Sequence, residues 1–110
     1  MEWQDVDWEG HERTVQVAGA DLRLVDLGDP EAGRTVVLLH GIAASWRWFM
    51  QVMPALAERQ RVIAVDLPGF GRSAMPLEGL TFDSMASAVH ELAERLGLGA
   101  VDVVGHSMGS

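Results

Sequence analysis

The stretch Thr35-Val36-Val37-Leu38-Leu39-His40-Gly41 decides how this 110-residue chain is read. From Val36 to Leu39 no polar side chain interrupts the run, so a strand here has no wet face. That suits a parallel strand covered on both sides by helices. The texture returns twice downstream, at Val62-Ile63-Ala64-Val65 and at Val101-Asp102-Val103-Val104. Between the first two runs, residues 46–59 carry Trp46, Phe49, Met50, Met53 and Ala57 at helical spacing despite Pro54, which predicts one crossover helix. Between the last two, Met85, Ala88, Val89, Leu92 and Leu96 recur on one helical face, and Gly97 closes the segment. Buried strands joined by helical crossovers imply a parallel sheet.

Upstream the pattern is different. Residues 13–18 and 21–27 are short segments separated by Gly19-Ala20 and closed by Gly28-Asp29-Pro30, which reads as a hairpin. Val15 and Val17 alternate with Thr14 and Gln16, and Leu22 and Leu24 with Asp21 and Arg23, as expected of antiparallel strands with one wet face. Trp3 and Trp8 are expected to pack rather than act. The fold class is therefore α/β, with an antiparallel hairpin leading into a mostly parallel sheet with flanking helices. No internal repeat, low-complexity tract or linker divides the chain, so residues 1–110 are expected to belong to one domain.

Composition narrows the function classes. Hydrophobic residues at 48% and charged ones at 22% are the balance of a folded globular protein, not of a disordered chain. With no Cys, thiolate nucleophiles and Cys-based zinc sites are excluded. Sixteen acidic residues against eight basic ones give a formal charge of −8, which repels phosphate backbones and anionic lipid, so neither nucleic acid nor a membrane is expected as partner. The first dozen residues carry Glu2, Asp5, Asp7, Glu9 and Glu12 and no Arg, the opposite of a secretory leader, and no apolar run is long enough to span a bilayer. A cytoplasmic location is the expectation.

In open α/β sheets ligands sit beyond the carboxyl ends of the strands. The three segments in that position are His40-Gly41-Ile42-Ala43-Ala44-Ser45, Asp66-Leu67-Pro68-Gly69-Phe70-Gly71-Arg72-Ser73 and Gly105-His106-Ser107-Met108-Gly109-Ser110. The last has the Gly-x-Ser-x-Gly spacing of a nucleophile elbow, a turn so tight that side chains two positions either side of the serine would collide. Gly105 and Gly109 relieve that clash and would leave Ser107 strained and exposed at the sheet edge, where a base and a substrate can reach it.

Together the three segments resemble the α/β-hydrolase superfamily, whose N-terminal half carries His-Gly after its third strand, Asp-x-Pro-Gly-x-Gly-x-Ser after its fourth and Gly-x-Ser-x-Gly after its fifth. The match runs from about Arg13 to Ser110. The resemblance implies the N-terminal half of an α/β-hydrolase fold, truncated just after the elbow. It makes Ser107 the nucleophile of a serine-type hydrolase that forms and hydrolyses an acyl-enzyme on a small ester-like substrate. Backbone N–H groups of Ile42 and Met108 would form the oxyanion hole, supported by His40, Gly41, Gly105 and Gly109. Two such fixed donors are commonly worth about 10²–10³ in rate each. No cofactor or metal is implied. Serine rather than aspartate at the elbow disfavours the haloalkane-dehalogenase and epoxide-hydrolase branches.

The family's base is a His that follows an Asp or Glu far downstream of the serine, so both are expected beyond Ser110 and this chain alone is expected to be inactive. His106 adjoins Ser107, and in a tight elbow the two side chains diverge. His40 supports the loop in this family; His11 and His90 read as exposed or helix-face residues. Asp66 and Asp102 read as shaping loops and strand ends. Gly69-Phe70-Gly71-Arg72-Ser73-Ala74 also fits a dinucleotide-binding fingerprint, but Pro68 and Pro76 flank it where a phosphate-binding helix would start. Trp46 and Phe49 are expected in the core. An alternative of another class is a non-catalytic binding or dimerisation module built on half the fold, motivated by the apolar edge that the last strand would leave. Oligomeric state is open at this level.

Overall fold

The computed structural model describes residues 2–17, 20–41, 45–67, 82–99 and 101–105. Two short helical turns, Trp3–Asp5 and α1 (Trp8–His11), precede β1 (Glu12–Val17) and β2 (Ala20–Leu27). Then come β3 (Thr35–Leu39), a 3₁₀ turn at Trp46–Phe49, α2 (Met53–Ala57), β4 (Arg61–Val65), α3 (Phe82–Arg95) and β5 (Asp102–Gly105). The five strands form one sheet in the order β1-β2-β4-β3-β5. β1 pairs antiparallel with β2 and β2 with β4, whereas β3 runs parallel to both β4 and β5. The expected hairpin and parallel sheet are both present.

Alternation along β3 sends Val37 and Leu39 into one apolar cluster and Val36 and Leu38 into another, so both faces are covered. α3 covers the first through Met85, Ala88 and Leu92; Trp46, Phe49 and Met53 cover the second, with Val6 and Trp8 packed beside them. The chain steps from β3 to β4, then back past β3 to β5, so its two crossovers run in opposite directions. Connections of one hand then demand helices on opposite faces, which is where they lie.

Two local readings change. Residues 46–59 are not one helix but the 3₁₀ turn and α2, because Pro54 has no N–H to donate within a helix and sits where that is harmless, in the first turn of α2. β2 has no continuous wet face: Leu22 and Leu24 enter the first cluster and Val25 and Leu27 the second, since of the two hairpin strands β2 is interior and β1 is at the edge. β5 lies at the other edge among the described residues, the apolar edge expected of the last strand, with Val103 56% and Val104 49% exposed. Gly97 ends α3 as expected: at φ +65° it lets its own N–H reach Glu94 O and the Leu98 N–H reach Ala93 O, both at 3.1 Å.

Polar anchors fix the hairpin to the sheet. Asp26 accepts two bonds from Arg61, at 3.0 and 2.6 Å, and one from Arg13 at 3.0 Å. The side-chain hydrogen bond that Arg61 donates to Asp26, opposed by burial and aided by the Asp26 charge, holds the Arg61 guanidinium above its ordinary value. No helix among the described residues is long and apolar enough to cross a membrane.

Candidate active site

The strand register aligns on one row the ends of the three strands that precede the motif-bearing segments. Leu39 is opposite Val65 on one side and opposite Gly105 on the other. His40, Asp66 and residue 106 therefore each follow the last row of the parallel sheet, on strands spaced about 4.8 Å apart. The strand order reverses about β3, the position at which an open α/β sheet leaves a crevice beyond its carboxyl ends.

Two buried side chains tie these strand ends together. His40, fully buried, has Nε2 2.8 Å from the Leu67 N–H and Nδ1 2.7 Å from Gly41 O. Accepting from an amide requires a bare Nε2, so the proton is on Nδ1 and donates to Gly41. His40 thus joins the turn after β3 to the turn after β4. Asp66, also fully buried, makes the reciprocal tie: its Oδ1 accepts from the Trp46 N–H at 2.7 Å. Ser45 Oγ accepts from the Arg47 N–H at 3.3 Å, so the first turn of the 3₁₀ segment is capped from two directions. A carboxylate on N–H groups at such an end is favoured by their partial positive charge.

Of the expected site residues, Gly105 stands on this row and His40 and Gly41 directly follow it. Ile42, Ser107, Met108 and Gly109 lie outside the described residues, as does the glycine-rich stretch from Pro68 to Ala74. His90 is an exposed helix-face residue, 2.6 Å from Glu94 one turn on. His11 is part-buried, with Nδ1 3.2 Å from Asp26 O. Asp102 pairs with Arg34 at 2.9 Å on the surface. Trp46 and Phe49 are core residues at 1% and 8% exposure, while Trp48 is exposed. Among the described residues no group of three His, Asp or Glu side chains could hold a metal ion.

Sequence reasoning missed the partners of these buried groups. It assigned His40 and Asp66 to loop support but had no means of naming Leu67 and Trp46, 27 and 20 residues away. The one available signal was position: both polar residues directly follow a fully apolar strand, where a buried polar side chain needs a backbone partner.

Residues 34–110 match the family model of the alpha/beta hydrolase fold. The chain belongs to the α/β-hydrolase fold family. It is 46% identical over 78 residues to a soluble epoxide hydrolase of Corynebacterium sp. (strain C12), a match covering 71% of this chain and 27% of that protein. It is 36% identical over 105 residues to 2-hydroxy-6-oxo-6-(2'-aminophenyl)hexa-2,4-dienoic acid hydrolase of Metapseudomonas resinovorans, covering 89% and 34% respectively. The crystal structure of an epoxide hydrolase of Vigna radiata superposes with a TM-score of 0.81 at 31% identity, covering 89% of this chain and 30% of that one. The chain thus spans about a third or less of the α/β hydrolases it matches, and corresponds to their N-terminal portion.

Proposed function

We propose that this chain is the nucleophile-bearing portion of a serine-type α/β-fold hydrolase that cleaves small carbonyl substrates, carboxylic esters first among them. The observation that supports the reading most is the Val65–Leu39–Gly105 row, because it starts the segment bearing Ile42 and the segment bearing Ser107 and Met108 on adjacent strands. Ser107 Oγ bonds to the substrate carbonyl carbon and gives its proton to a base. The carbonyl oxygen takes the negative charge, held by the N–H groups of Ile42 and Met108. Collapse expels the leaving alkoxide, which takes up the proton. Water then adds to the acyl-enzyme and returns the hydroxyl to Ser107. The base is a His oriented by an Asp or Glu, contributed by the part of the fold that the matched relatives have and this chain does not.

Relatives named as epoxide hydrolases and, at 34% identity, as a fluoroacetate dehalogenase place other chemistries close by. Serine at the centre of Gly105-x-Ser107-x-Gly109 keeps this chain with the serine branch of the resemblance. Carbon–carbon bonds next to a carbonyl are the second substrate class, in keeping with the dienoic acid hydrolase among the relatives. The test is hydrolysis of a p-nitrophenyl ester by a polypeptide carrying this chain within the full length of its relatives. Turnover should fall by about 10⁴ or more in Ser107→Ala; unchanged turnover would overturn the assignment.

The exposed Val103 and Val104 favour one second reading, a non-catalytic module that dimerises through β5. Sizing the purified 110-residue chain separates the two. A discrete folded dimer supports the module, and a monomer or ill-defined aggregate supports the hydrolase portion.

A further inference from the structure

The residues before β1 reach across to the backbone that follows Gly41. Trp46 is 1% exposed, and its ring meets two groups: the Trp8 ring, with centroids 5.3 Å apart and planes at 38°, and the Arg47 guanidinium, 5.0 Å from its centroid. Trp8 is itself fixed by its Nε1–H, which donates to Trp3 O at 2.9 Å. Arg47 leads to Glu12 at 3.9 Å, and Glu12, its side chain 5% exposed, pairs with Arg23 of β2 at 2.5 Å. Trp46 and Arg47 are also the two residues whose N–H groups Asp66 and Ser45 hold. The chain leaving Gly41 is therefore fixed where it starts, by His40, and where it is next described, by Asp66 on its backbone and by Trp8 and Glu12 on its side chains. None of the residues in the two helical turns before β1 is fully buried, and Trp8 packs against the margin of the second cluster. They precede the span matched by the family model.

We propose that Trp8 and Glu12 are positioning residues for the active-site segment after β3, acting through Trp46 and Arg47. This rests on the hydrolase reading above, in which Ile42 lies between Gly41 and Trp46. Contact of the Trp46 ring with both the Trp8 ring and the Arg47 guanidinium limits rotation of the first 3₁₀ turn. The Glu12 carboxylate, fixed by Arg23, limits where Arg47 can go. Loss of either grip frees the turn without removing a residue that touches substrate or either tie at the strand ends.

Amide hydrogen exchange on a polypeptide carrying this chain within the full length of its relatives tests this without using the serine chemistry, so its failure is distinguishable from failure of the hydrolase reading. In Trp8→Ala, amides of Trp46 to Phe49 should exchange about tenfold faster, while those of Leu22, Val37 and Ile63 keep their rates. Trp8→Phe, which keeps the ring packing and loses only the bond to Trp3 O, should restore most of the protection. Glu12→Gln should raise exchange at Arg47 and Trp48 by a few-fold. If Trp8→Ala leaves no protected core, Trp8→Phe and Glu12→Gln are decisive on the same amides. Unchanged exchange at Trp46 to Phe49, or one uniform factor over both sets of amides, would overturn the proposal.

Discussion

Asp66 shows how one side chain serves both the packing and the expected chemistry. It directly follows the apolar run of β4, is fully buried, and accepts from the Trp46 N–H at 2.7 Å. Replacing it by Ala leaves that amide donor buried without an acceptor, which costs about 1–3 kcal/mol. Asp66→Asn keeps an oxygen in place and gives up the charge, so its loss should be about half as large, near 0.5–1.5 kcal/mol. Urea midpoints of the two variants check this; equal losses would mean that the carboxylate charge of Asp66 carries the whole effect and that the oxygen retained by Asn contributes nothing. The sequence already marked Asp66 and His40 as residues that shape turns. Their partners were not legible, because Leu67 and Trp46 meet them only once β3 and β4 are side by side.

Among the elements, the parallel strands were the most legible, because an unbroken apolar run has few solutions other than a doubly covered strand. The hairpin was half legible. β1 keeps the alternation of an edge strand, but β2 has β4 as a second neighbour, and no local pattern reveals which strand will be interior. Pro54 was noted and underweighted in the segment after β3, where it divides one apparent helix in two. The turn between β2 and β3 was correctly read from Gly28-Asp29-Pro30, and the structure gives it a quantitative test. Gly28 has φ +96°, and a Cβ there would lie 2.5 Å from Gln60 O; Gly33 has φ +84° but would meet nothing within 4 Å. Gly33→Ala should cost only the left-handed backbone term, about 1–2 kcal/mol. Gly28→Ala adds a clash with backbone and should cost about 1–3 kcal/mol more. Thermal or urea unfolding of both variants measures the difference, and equal losses would show that the Gln60 contact is easily relieved.

At the scale of the whole molecule, the fold is the N-terminal portion of an α/β hydrolase, with helices on both faces of a five-stranded sheet. The three motifs were legible because each follows an apolar strand, and the order of strands and crossovers sets the ends of those three strands side by side. That β5 would be an edge was also foreseen, and the exposure of Val103 and Val104 agrees with it. The central claim concerns Ser107, and a serine-directed fluorophosphonate tests it most directly. Applied to a polypeptide carrying this chain within the full length of its relatives, followed by peptide mapping, it should leave its adduct on Ser107 and none in Ser107→Ala. An adduct on another residue, or labelling that survives Ser107→Ala, would contradict the account.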